Sequence, residues 1–219
     1  MSTIERSEER DAALAALLPQ VAEHGWTSKA LRLGLADTGA DPDTASWLFA
    51  GPTDMVEAYI DWADRRMEAG ASALSQTRVS QRVRALIALR FAQAAGERVA
   101  VRRAAAVLAV PTNAAAGARS LARTVDAIWH AAGDESADFS WYSKRAILAA
   151  VYSTTLLYWL RHDAWSDPED ALTLGFLDRR LAGVARLGKL RSRIDARRAS
   201  LRPGWTRAAP EAPMASALD

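Results

Sequence analysis

The side chains here that could do chemistry are few, and their spacing argues for binding rather than bond-making. There is no cysteine, which excludes thiol catalysis, disulfides and thiolate metal sites. The histidines, His24, His130 and His162, stand far apart and not at metal-ligand spacing. His130 reads as a hydrogen-bonded structural residue. Asp134, Glu135 and Asp138 cluster, but they lack the oxygen-ligand spacing of a calcium loop and suit turn and cap roles. No nucleophile, base and orienting group form a set. The expectation is a non-enzyme with no catalytic residue, no metal and no cofactor. What remains is apolar. Leu148, Val151, Tyr152, Thr155 and Leu156 recur at helical spacing, and Val125, Ile128, Trp129, Leu86 and Phe91 could face them. Such residues either fill a core or line a cavity for an apolar ligand, and spacing alone leaves both open. Trp141 and Tyr142 are adjacent, so on a helix they point about 100° apart and at least one lies near the surface. Exposed aromatics there suit a partner interface, and the alternative is Trp141 packed under the 133–139 loop.

The elements that must position these residues are helices. The chain has 219 residues, 50% hydrophobic and 25% charged, enough for a sizeable core. Alanine and leucine dominate, strand-like alternation is absent, and glycine or proline punctuates at helical intervals. The expected fold class is all-α, with helices over about 8–23 (kinked at Pro19), 28–37, 41–49, 53–69, 79–95, 98–109, 114–132, 141–161 and 167–187. Gly25 ends the first, Thr27 or Ser28 caps the second, and Asp41-Pro42 and Asp167-Pro168 each open a helix with a cap and a first-position proline. The expected organisation is an N-terminal module at 8–66, a larger helical domain at 67–188, and a basic, partly disordered tail at 189–219.

Charge divides the chain. Residues 8–66 carry five bases against eleven acids, net −6, whereas residues 186–207 carry eight bases against Asp195 alone, net +7. Three short helices and a longer one in the first 70 residues outline a helix-turn-helix module. The run from Ala22 to Phe49 resembles the DNA-binding domain of TetR-type repressors. A ligand-sensing TetR-type regulator is therefore the alternative reading. Electrostatics opposes it, because affinity for DNA comes largely from Lys and Arg at phosphates. The presumed recognition helix carries Asp41 and Asp43 and no base, so no DNA partner is expected.

The stretch from Ala127 to Leu160 is the most distinctive. It carries Trp129-His130, Ala132-Gly133-Asp134, Asp138-Phe139, Trp141-Tyr142, Lys144-Arg145-Ala146, Leu148-Ala149-Ala150, Tyr152 and Thr154-Thr155, followed by Asp167, Glu169-Asp170 and Phe176-Leu177-Asp178-Arg179-Arg180. With His24-Gly25-Trp26-Thr27 at the front, the chain resembles, over about residues 10–188, the accessory lipid-binding family of ubiquinone (coenzyme Q) biosynthesis, the ninth Coq protein. That resemblance implies a TetR-like fold, a homodimer and no catalysis. It implies a pocket for an isoprenoid quinone or phospholipid, lined here by Leu86, Phe91, Val125, Trp129, Leu148, Val151, Tyr152, Thr155 and Leu156. It also implies docking of a di-iron demethoxyubiquinone hydroxylase through a face holding Ile128, Trp141 and Tyr142.

The family is expected to end in a membrane-contacting amphipathic helix, and this chain departs from that pattern after Gly188. Its apolar stripe is thin, and its charge is strong at Lys189, Arg191, Arg193, Arg197 and Arg198, with Ile194 among them. Salt-sensitive peripheral contact with an anionic membrane is expected, with little insertion. No run of about 18 apolar residues exists to span a bilayer. The opening MSTIERSEER is mixed in charge and reads as neither secretory signal nor transit peptide. The expected place is the cytoplasm, peripheral to the inner membrane.

Overall fold

Helix α1 (Glu8–His24) begins where the Ser7 hydroxyl accepts the Arg10 N–H at 3.1 Å, with Glu8, Glu9 and Asp11 at its positive end. It runs through Pro19 and stops at Gly25, whose N–H still bonds the Val21 carbonyl and whose φ of 69° turns the chain out of the helix. The Thr27 hydroxyl accepts the Ala30 N–H and starts α2 (Ser28–Asp37). These two helices pack with backbones in contact. A Cβ built on Gly34 would stand 2.1 Å from the Ala16 carbonyl oxygen, so only glycine fits this crossing.

The computed structural model describes residues 4–134, 140–163 and 165–200, and the side chains of residues 140 and 187–200 are not among those described. Among the described residues there are nine α-helices and no strand. After α2 come α3 (Ala45–Leu48), α4 (Pro52–Gly70), α5 (Val79–Gln93), α6 (Arg98–Leu108), α7 (Ala114–Ala132), α8 (Ser140–Arg161) and α9 (Ala171–Ser200). The chain divides after Leu181 into two units. No described helix is long and apolar enough to cross a membrane.

Two expected elements differ. The single helix over 41–49 is a 3-10 turn at Pro42–Thr44 followed by the four-residue α3. The Thr44 and Ser46 hydroxyls donate to the Asp41 and Asp43 carbonyls three residues back, which favours the tighter winding. The last helix does not end near Leu187. With no proline between Pro168 and Pro203 and a run of strong helix formers, α9 continues to Ser200. Its start also shifts. Glu169 and Asp170 adopt left-handed φ of 56° and 57°, a strained conformation for both, and α9 begins only at Ala171. Asp170 is buried in that conformation and accepts hydrogen bonds from Arg98 and from the Trp159 indole. Asp167 does act as a cap, accepting the Leu172 and Thr173 N–H groups and the Thr173 hydroxyl.

Buried Arg10 ties α1 to α3 and α4. Its guanidinium donates to the Leu48 carbonyl and to Asp54, and it lies 4.3 Å from the Phe49 ring centroid. Leu14, Leu17, Val21, Leu31 and Met55 fill the space between these helices. Trp26 then links them to α6. Its indole donates to the Ala100 carbonyl at 3.0 Å and its ring meets Tyr59 at 5.1 Å. Helix α4 packs against both this module and α5, α6 and α7.

Candidate lipid cavity

Helices α4 to α8 do not close completely. Small residues on facing helices leave a gap: Ala104 and Ala105 on α6, and Gly117 and Ser120 on α7. The result is a cavity of about 290 Å³, at the lower end of small-molecule sites. Its deep wall is Phe91, whose ring stacks on Tyr152 at 5.9 Å and on Trp159 at 5.3 Å. Its outer wall is Leu108, Leu121 and Leu156, each half-buried, with Ala109 exposed at the edge.

The deep end is also where charge is buried. Arg90 Nε donates to Asp64 at 3.1 Å, and the Thr124 hydroxyl donates to the other Asp64 oxygen at 2.7 Å. Burial pushes the Asp64 carboxyl above its ordinary range, and Arg90 and Thr124 oppose that. Tyr59 donates to Glu97 at 2.6 Å, and Arg66 grips the same carboxylate at 2.8 Å through both terminal nitrogens. Burial pushes Glu97 up, but these donors outweigh it and hold the carboxyl below its ordinary range. Burial raises the phenols of Tyr59 and Tyr152, so both stay protonated at neutral pH. Among the described residues no three His, Cys, Asp or Glu side chains group as a metal site.

Of the nine residues expected to line a lipid site, Phe91, Tyr152 and Leu156 lie in this wall. Leu86, Val125, Leu148, Val151 and Thr155 are buried outside it, in the packed core, and the Thr155 hydroxyl is satisfied by the Val151 carbonyl at 2.7 Å. Trp129 is half-buried and also outside the wall, with Lys144 Nζ 5.9 Å from its ring centroid. Sequence reasoning missed the polar floor of Tyr59, Arg90 and Thr124 and the small residues on α6 and α7. One signal was available, an arginine set among Leu86, Ile87 and Phe91 on an apolar face.

Ile128 is a correction. It is 0% exposed and cannot belong to a docking face. The 3.6-residue period aligns it with Thr124, Val125 and Ala132 on the inward side of α7. His130 is a second correction: its side chain is 87% exposed, beside Glu68 at 3.5 Å. Tyr142 is 74% exposed. Trp141 is half-buried, edge-on to Tyr142 at 4.7 Å and covered by Arg145 at 3.7 Å. Asp134 pairs with Lys144 at 3.2 Å, while Glu135 and Asp138 lie outside the described residues. So do the side chains of Lys189, Arg191, Arg193, Ile194, Arg197 and Arg198.

Residues 114–188, which include α7 and α8 with much of the cavity wall, match the COQ9 family. The chain is similar in sequence to the COQ9 proteins. It is 30% identical over 184 residues to ubiquinone biosynthesis protein COQ9, mitochondrial, of Rattus norvegicus, covering 80% of this chain and 58% of that one. The Homo sapiens COQ9 is 31% identical over 193 residues, covering 80% and 57%, and the Schizosaccharomyces pombe protein is 26% identical over 180 residues, covering 81% and 70%. The chain thus spans a little under three fifths of the mammalian COQ9 proteins. Among solved structures, a TetR transcriptional regulator from Nitrosomonas europaea superposes with a TM-score of 0.64 at 21% identity, covering 82% of this chain and 99% of that one. That likeness establishes a TetR-like fold.

Proposed function

We propose that this COQ9 relative serves ubiquinone biosynthesis as a non-catalytic lipid-binding accessory protein, a homodimer that holds an isoprenoid quinone intermediate and presents it to a di-iron demethoxyubiquinone hydroxylase at a membrane surface. The observation that carries the reading is the apolar cavity between α4 and α8, in a chain whose residues 114–188 match the COQ9 family. A polyprenyl chain gains about 0.8 kcal/mol for each CH₂ it removes from water, so a hollow walled by Phe91, Leu121 and Leu156 suits a section of it. Exposed Tyr142 and its neighbour Trp141 are the proposed docking anchors for the hydroxylase. Exposed Ile147 and Leu157 on α8 give the protein apolar surface for a second copy. The net charge of +7 over residues 186–207 supports the membrane contact, at about 1 kcal/mol per base near an anionic leaflet. The α3 region does not suit a duplex: Asp41 and Asp43 are exposed, and the nearby Arg32 is paired with Asp43 at 2.9 Å.

Native mass spectrometry of gently purified protein tests the reading, with the hydroxylase partner titrated against Trp141→Ala/Tyr142→Ala. The reading expects dimers carrying isoprenoid or phospholipid mass, and at least tenfold weaker hydroxylase binding by the double variant at unchanged thermal stability. Lipid-free monomers, or unchanged hydroxylase affinity, would contradict it.

A further inference from the structure

The cavity has two chemically different ends. Its outer residues are aliphatic and half-buried, whereas its floor holds Arg90 and Tyr152, each 6% exposed. Both floor residues have unused hydrogen-bond donors. Arg90 makes one side-chain hydrogen bond, through Nε to Asp64, and its two terminal nitrogens have no partner among the described residues. The Tyr152 hydroxyl has none either, although its ring is fixed by Phe91. These donors face the open space of the cavity rather than packed side chains, so their acceptor comes from whatever fills it. The neighbouring polar groups are already satisfied, Tyr59 by Glu97 and Thr124 by Asp64.

We propose that Arg90 and Tyr152 form the recognition end of the cavity and bind a neutral carbonyl oxygen carried on an apolar body, which enters head first and leaves its tail along Leu108, Leu121 and Leu156. The inference deepens the carrier reading and rests on it. Charge selects the acceptor. Asp64 already balances Arg90, so a carboxylate or phosphate would add an uncompensated charge to an aliphatic enclosure. A carbonyl uses the donors without adding one. Quinone rings and acyl esters both carry such an oxygen. At about 290 Å³ the cavity holds one section of a long lipid, and the donors make that section the carbonyl-bearing one. The ring would thus travel shielded and leave on handover.

The test is equilibrium binding by quenching of tryptophan fluorescence or by competition, in detergent-free buffer. The probes are a short-chain ubiquinone, an isoprenoid hydrocarbon of the same tail length, a diacylglycerol and a fatty acid. Tyr152→Phe removes one donor with no change of shape. Arg90→Gln/Asp64→Asn removes the other without stranding a buried carboxylate, and a thermal melt checks that each variant folds. The proposal expects wild type to bind the quinone at least tenfold tighter than the hydrocarbon. Tyr152→Phe should erase most of that preference while leaving hydrocarbon affinity unchanged. A diacylglycerol that shares the preference and its loss places an ester carbonyl at the floor, and one that does not assigns the floor to the quinone ring. Quinone and hydrocarbon binding that is equal, and equal in Tyr152→Phe, overturns head recognition while leaving the carrier reading intact. Tighter binding of the fatty acid overturns the neutral acceptor. Failure of wild type to bind any probe overturns both readings.

Discussion

The N-terminal module and the α4–α8 bundle are made of similar alanine- and leucine-rich helices, yet one is filled and the other is hollow. In the module, α1 and α2 approach until Gly34 meets the Ala16 carbonyl, and Leu14, Leu17, Leu31 and Met55 close the space. In the bundle, larger rings on α5 and α8 hold the helices apart, and Ala104, Ala105, Gly117 and Ser120 are too small to fill the gap. Small residues therefore have opposite effects. Where nothing bulky intervenes they let backbones touch; where Phe91, Tyr152 and Trp159 act as spacers they leave a void. A TetR-like scaffold can in this way keep a rigid end and a receptive end without changing its helix order.

Two glycine substitutions and one carboxylate probe that contrast. The largest effect is expected of Gly34→Ala. The new methyl group runs into the Ala16–Leu17 peptide of α1, and denaturant unfolding should show a loss of about 3 kcal/mol, the upper end for overpacking; a loss below the error of the measurement would mean that the module is not tightly closed. Next comes Glu97→Gln, at about 1–2 kcal/mol near neutral pH, because it removes the charged acceptor of Arg66 and Tyr59 that joins α4 to the turn before α6. Its sign with pH follows from the lowered carboxyl. The Glu97 contribution is present above the unfolded value of about 4.3 and is lost as pH falls through the lower folded value. Wild type should therefore lose this increment on acidification while Glu97→Gln does not, and parallel stability curves would remove Glu97 from the account. The smallest effect is that of Gly117→Ala. A Cβ there meets Leu108 at 3.6 Å, an ordinary contact, so the helix should gain about 0.5–1 kcal/mol. A destabilised Gly117→Ala would show that the bundle is as closed as the module.

Local chemistry made the helices legible. Caps at Thr27, Asp41 and Asp167, the stop at Gly25, and the period from Ala114 to Ala132 all act within a few residues, and their partners are within reach of the sequence. The departures have non-local or competing causes. Asp170 takes a left-handed conformation where it meets Arg98, more than 70 residues away. Ser and Thr hydroxyls shortened the expected helix at 41–49. The candidate site was legible only in part for a similar reason. Periodicity shows that Tyr152 and Leu148 lie on an apolar side of α8, but not that the first borders a void and the second a packed neighbour. That distinction depends on the size of residues on α6 and α7, which no pattern within α8 records. Ile128 was misplaced because adjacency to Trp129-His130 in sequence says nothing about which side of α7 it takes.

Blocking the hollow tests its role most directly. Ala105→Phe places a ring in the cavity, whereas Ala106→Phe, at an exposed position outside the wall, serves as the matched control. Lipid extracted from equal amounts of each purified protein would be quantified by mass spectrometry, with melting temperatures taken alongside. The account predicts that Ala105→Phe carries less than a tenth of the wild-type lipid at an equal or higher melting temperature, and that Ala106→Phe carries the wild-type amount. Equal lipid in all three proteins would contradict it.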